Sequence, residues 1–169
     1  MALLPDLEHD CGSCAALCCL ALAFDKGDMF AFDKPAGLPC PNLDACGDCL
    51  IYDELKPQGF AGCTVYSCNG AGQRVTQELF AGATWLNDPK LAAPMIDAFR
   101  VMRQVHDLIA MLMAAGNLPL EDDQQEELED LLEELVPEDG WTTDTLAALE
   151  AGPLPARAQA FFRGLRDLV

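Results

Sequence analysis

The chain has 169 residues, is 51% hydrophobic and carries a formal charge of −18. That length and apolar content allow a real core and exclude wholesale disorder. So much negative charge repels phosphate backbones and anionic lipid surfaces, so neither nucleic acid nor a membrane is expected as a partner.

The opening run Met1-Ala2-Leu3-Leu4-Pro5-Asp6-Leu7-Glu8 has no cationic segment and too little apolar sequence for a secretory signal. No stretch approaches the length of a membrane span. A cytoplasmic location, where thiols stay reduced, is therefore expected. Cys11, Cys14, Cys18 and Cys19 then fall within nine residues. The first three stand at i, i+3 and i+7, one face of a helix. With Asp10 as N-cap and alanine and leucine between the thiols, the spacing predicts a helix over 11–23. That helix would carry a stripe of three sulfurs, with Cys19 about 100° round the axis. Cysteine packing as a small hydrophobe does not account for such density. Nine cysteines cannot all pair internally, and cytosolic thiols in short spacings point to a metal or cluster.

A turn is expected at Asp25-Lys26-Gly27-Asp28, then a short strand over Met29-Phe30-Ala31-Phe32. Prolines on both sides of Cys40 restrict it to extended or turn geometry, which suits presenting one thiolate at a fixed angle. Cys46 and Cys49 form a second C-x-x-C, with Gly47 permitting a tight knuckle. Leu50-Ile51-Tyr52 reads as a strand or short helix, and Val65-Tyr66, between Cys63 and Cys68, as a strand closed by the Asn69-Gly70 turn. From there the pattern becomes helical. Residues 73–85 carry Val75, Leu79 and Trp85 as apolar anchors. Asn87-Asp88-Pro89 opens a long amphipathic helix to about 115, with Pro94 a point where it can kink or restart. An acidic helix over 121–136 carries a leucine stripe and lacks the glycine and ligand alternation of a calcium loop. Thr142-Thr143-Asp144 starts another helix, and Pro155 the last, with Phe161, Phe162 and Leu165 facing inward. The fold class expected is mainly α: a small irregular α+β cysteine-rich metal-binding head over 1–86 and a C-terminal acidic helical bundle over 87–169.

The ordered cysteine motifs are Cys11 and Cys14, Cys18 and Cys19, Pro39-Cys40-Pro41, Cys49-Leu50-Ile51-Tyr52, and Cys63 beyond Pro57. This set resembles the bacterial CxxCxxxCC cysteine-cluster family, named for chelating zinc or iron. The version that heads some pentapeptide-repeat proteins looks closer still. It shares Asp33-Lys34-Pro35-Ala36-Gly37, Gly59-Phe60-Ala61-Gly62-Cys63-Thr64-Val65 and Gly70-Ala71-Gly72-Gln73. The resemblance covers residues 9–86; the helical half lies outside it, and Lys56-Pro57 stands where the wider family has Arg-Pro. Cys46 looks like an addition to the pattern.

The resemblance implies metal ligands among Cys11, Cys14, Cys18, Cys19, Cys40, Cys49, Cys63 and Cys68, with Cys46 and His9 as additional candidates. Zinc is expected ahead of iron or a [4Fe-4S] cluster, since paired short spacings suit closed structural sites. Eight thiolates on two zinc ions would leave a charge of about −4. Only Lys26, Lys34, Lys56 and Arg74 are at hand in this half to offset it, which favours a site of about four to six thiolates. No catalysis is expected: the two histidines offer little choice of base, and Gly70-Ala71-Gly72 lacks the lysine of a phosphate loop. The expected function is thus a non-catalytic metal-binding protein, the metal being structural or serving interaction with a protein partner. An iron–sulfur protein for electron transfer or redox sensing, and a metal chelation or delivery protein, are the alternatives.

Overall fold

In the computed structural model, which describes residues 4–168, the chain is mainly helical. Its central element is α4 (Ala92–Ala115), entered through a single 3-10 turn at Pro89–Leu91. Asp88 caps that turn by accepting from the Lys90 N–H. Pro94 does not kink the helix. It lies within the first turn of α4, where its missing N–H breaks no bond. The buried residues of α4 run Met95, Phe99, Met102, Val105, Ile109 and Leu112, at the expected three- and four-residue steps. Ala98, Val101 and His106 are buried as well, because the helix is covered on more than one side.

One side meets α5 (Asp122–Leu135) and α6 (Thr143–Ala151), against which α7 (Leu154–Gly164) packs in turn. α5 opens on a reciprocal cap between Glu121 and Gln124 and buries Leu128, Leu131 and Leu135. Leu146, Ala158, Phe161 and Leu165 complete that side; Phe162 is half-buried. The acidic face of α5 is exposed, and Arg157 of α7 reaches across to Glu127 and Glu134. No helix among the described residues is long and apolar enough to cross a membrane.

The other side of α4 receives the cysteine-bearing half. Leu17 of α1 (Leu17–Ala21), Ala71 of α3 (Ala71–Arg74) and Val75 belong to the same buried cluster as Met95, Phe99 and Leu131. This half departs from the sequence-based expectations in several places. The single helix over 11–23 is replaced by a 3-10 turn, Cys11–Ser13, a break, and the five-residue α1. Asp10 does cap, but it caps the short turn. The strands expected over 29–32 and at Val65-Tyr66 are absent. Residues 26–32 are bends, and Val65 ends the short α2 (Ala61–Val65). Isolated bridges at Phe24–Lys34 and Leu43–Cys49 are the β-pairing seen among the described residues, and Leu50-Ile51-Tyr52 leads into a 3-10 turn. The aromatic residues that suggested strands pack on each other instead: Phe24 stacks on Phe30 at 4.2 Å and Phe32 meets Phe60 edge-on at 4.9 Å. The helix expected over 73–85 begins at Ala71 and ends in a π-helical turn, Val75–Leu79.

Replacing Leu131, which has no exposed surface, by alanine should destabilise the protein by about 2–5 kcal/mol in chemical denaturation. Arg100 of α4 pairs with Glu150 of α6, and that hydrogen bond holds the Glu150 carboxyl below the usual 4.5. The folded state thus binds the proton less readily than the unfolded chain. The stabilising contribution is present above pH 4.5 and lost as pH falls through the depressed value. In Glu150→Gln that part of the acid melting profile should flatten.

Candidate functional site

The break in the first cysteine segment has a clear cause. The Thr76 hydroxyl accepts from the Ala15 N–H at 3.0 Å, and the Trp85 indole N–H donates to the Ala15 carbonyl at 2.6 Å. With both backbone groups of Ala15 engaged by side chains some sixty and seventy residues away, they cannot serve a helix through this point. Ala16 takes the left-handed conformation, φ 51°, and the chain restarts as α1. Cys11 and Cys14 therefore lie on one turn and Cys18 and Cys19 on another. The sulfurs gather through a fold-back of the chain and not along a helical stripe.

Later elements bring up the remaining sulfurs. The Cys40 N–H donates to the Cys19 carbonyl at 3.0 Å, which lays the Pro39-Cys40-Pro41 segment beside α1. Cys49 is tied back to Leu43 by the antiparallel bridge. Cys63 lies exposed on α2. Cys68 stands just before the Asn69-Gly70 turn, where Asn69 and Gly70 take φ values of 49° and 79°. Gly72 of α3 sits against two of the sulfurs. A Cβ there would lie 2.6 Å from Cys14 Sγ and 3.7 Å from Cys68 Sγ. Cys18 and Cys19 sulfurs are 3.9 Å apart.

All nine cysteines are free thiols. Burial raises Cys14 to about 12, even though Leu17 N–H and the Thr76 hydroxyl would favour its thiolate. Burial likewise raises Cys63 to about 11, aided by the charges of Cys18, Cys40 and Cys49. Cys18 is pushed far up by its bond with Cys19 and by desolvation. Cys11 and Cys40 are raised chiefly by burial, and each also feels Cys18 and Cys49. Without a bound cation these thiols are neutral at pH 7.

Two of the weaker candidates stay at the edge. Cys46 is exposed on the 44–48 turn, which the Asp44 carboxylate holds by accepting from the Cys46 and Asp48 N–H groups. His9 is exposed, its Nδ1 3.4 Å from Ser67 Oγ. Among the described residues, no three His, Cys, Asp or Glu side chains form a ready-made cage for a metal ion. The sulfurs share one neighbourhood, and gripping an ion requires the short turns that carry them to close further.

Other residues complete the surroundings. Lys34 is 3% exposed, and its ammonium donates to the carbonyls of Leu20 and Leu22 at the end of α1 and to that of Pro35. Burial lowers its pKa, while the charges of Cys40, Cys19 and Cys18 hold it up. His106 of α4 has no exposed area. Its Nδ1 faces the Asn69 carbonyl and its Nε2 lies 3.3 Å from an Arg74 N–H group, a neutral imidazole joining α4 to α3. Asn69 also donates to Asp107 at 2.8 Å. The strongest sequence signal for such roles was Gly70-Ala71-Gly72, whose glycines are needed for close approach: Gly70 to the Asp6 carbonyl, Gly72 to the sulfurs.

Gly72→Ala should be unfavourable although alanine is the better helix former, since Cys14 has to move. We expect a lower melting temperature than wild type and faster alkylation of Cys14, followed by mass spectrometry.

No protein-family model and no solved structure matches the chain. The chain is 43% identical over 115 residues to the uncharacterized protein YybG of Bacillus subtilis (strain 168). The match takes in 68% of this chain and 41% of that protein, so the chain spans about two fifths of the relative's length.

Proposed function

We propose that this protein binds zinc through its cysteine cluster, without catalysis, and that the metal stabilises the cysteine-bearing half and the surface it offers to a protein partner. The observation that carries this reading is the approach of free sulfurs from separate short segments: Cys14 and Cys68 both against Gly72, Cys18 beside Cys19, and the Cys40 segment hydrogen-bonded to Cys19. A set of donors that is all sulfur suits a thiophilic ion. The pool of ligands is Cys11, Cys14, Cys18, Cys19, Cys40, Cys49, Cys63 and Cys68, as the resemblance to the cysteine-cluster family also implies. Four of them suffice for one tetrahedral zinc.

The elements in this half support the reading from another side. The 3-10 turns, α1, α2 and α3 run three to five residues each, too short to be stable alone. A metal crosslink between them would supply on the order of 10 kcal/mol, and uptake would release the protons that the thiols hold. Lys34 limits the negative charge that bound thiolates would accumulate.

Protein purified anaerobically without added metal should be colourless, contain stoichiometric zinc by elemental analysis, and lose thermal stability on chelation. Brown protein with visible charge-transfer bands would instead favour the iron–sulfur alternative. Zinc that leaves without any change in stability would favour chelation or delivery. Cys14→Ser and Cys18→Ser should each weaken zinc binding roughly tenfold or more, and Cys46→Ser should do so least. Wild-type protein free of metal, and unchanged in stability when zinc is supplied, would end the proposal.

A further inference from the structure

A cavity of about 270 Å³ lies between the lead-in over 5–13, the helical run over 70–78 and α4, and no cysteine lines it among the described residues. Its inner side carries Arg74, which is 8% exposed, and His106, which is fully buried. A buried guanidinium is costly unless its donors are engaged. Arg74 Nε donates to Glu78 at 3.0 Å, and Nη1 donates to His106 Nε2 at 3.3 Å. The imidazole accepts there, since a guanidinium only donates, and its Nδ1 proton serves the Asn69 carbonyl. Arg74 Nη2 has no partner among the described residues. The facing wall is held in place by two glutamines. Gln73 accepts from the Asp10 N–H and donates to the Glu8 carbonyl, and Gln77 donates to the Ser13 carbonyl. Asp10 engages both carboxylate oxygens with Gly12 and Ser13. Asp6 and Glu78, both exposed, each engage one oxygen, with the Glu8 N–H and with Arg74, and keep one acceptor open among the described residues.

We propose that this cavity binds a small zwitterion, an α-amino acid, with its carboxylate on Arg74 and its ammonium on Asp6 and Glu78. The inference goes beyond the metal-binding reading and does not rest on it. Charge selects the class of ligand. Three carboxylates and one guanidinium line the cavity, and the imidazole that accepts from Arg74 is neutral, so one positive charge against three negative leaves −2. A plain anion meets that excess of negative charge, and a plain cation leaves the buried Arg74 donor unmatched. A molecule that is anionic at one end and cationic at the other answers both. A guanidinium matches a carboxylate in shape as well as in charge. The volume falls below that of pockets for drug-sized ligands, which limits the guest to a few heavy atoms. Gln73 and Gln77 hold the lead-in against the helix before any ligand arrives, so binding has little chain to order.

The test is isothermal titration of the full chain, as purified, with glycine, L-alanine and L-serine, and with acetate and ethylamine as the two half-ligands. We expect the amino acids to bind with a Kd of about 0.01–1 mM and each half-ligand to bind about tenfold more weakly or worse. Glu78→Gln and Asp6→Asn keep an oxygen that accepts the present hydrogen bond and remove the charge. Each should weaken amino-acid binding about tenfold and leave the response to acetate no smaller. That asymmetry separates a ligand contact from a general loss of structure. Arg74→Lys should weaken amino acids and acetate alike. Arg74 also joins α3 to α4, so if this variant does not fold, the two carboxylate variants decide. Absence of binding by all three amino acids up to about 10 mM would overturn the proposal. So would amino acids that bind no tighter than acetate or ethylamine, or that keep wild-type affinity in both Glu78→Gln and Asp6→Asn.

Discussion

The capture of Ala15 by Thr76 and Trp85 governs the cysteine-bearing half. Helical propensity over 11–23 amounts to a few tenths of a kcal/mol per residue. Two buried hydrogen bonds from outside the segment, made together with the burial of Leu17, outweigh it. Once Ala15 is held, Cys11 and Cys14 are delivered from one turn and Cys18 from the next, and the segments bearing Cys40, Cys63 and Cys68 close around them. A continuous helix would have put three sulfurs in a row, with room for fewer partners.

Charge is the second constraint. The chain carries 28 acidic residues against 10 lysines and arginines, so a concentration of thiolates within it needs specific cations. Lys34 is held by the carbonyls of Leu20 and Leu22 at the end of α1 and by that of Pro35. Acids on α5 lie largely outward, where solvent screens them and Arg157 spans two of them.

The helical half and the cysteine-bearing half share one buried cluster through Leu17, Ala71 and Val75 against α4. Polar links follow the same seam: Asn69 to Asp107, and His106 between Asn69 and Arg74. The turn that follows Cys68 is therefore anchored directly to α4. Anything that tightened the sulfurs would be felt along that helix, because no soft layer lies between them.

The sequence by itself determined the long amphipathic helix of residues 92–115, the three helices after it, the turn at Asn69-Gly70 and the density of thiols. Each is a local pattern, a repeat of apolar residues at helical spacing or a residue suited to one backbone conformation, and such patterns survive in any surroundings. The tertiary structure alone decided that the 11–23 segment breaks and that the phenylalanines of 24–32 cluster without pairing as strands. It also decided that His106 is buried. Periodicity tells which face of an element is apolar but not what comes to cover it. These outcomes depended on residues thirty to seventy positions away in the chain, brought close only when the core closed.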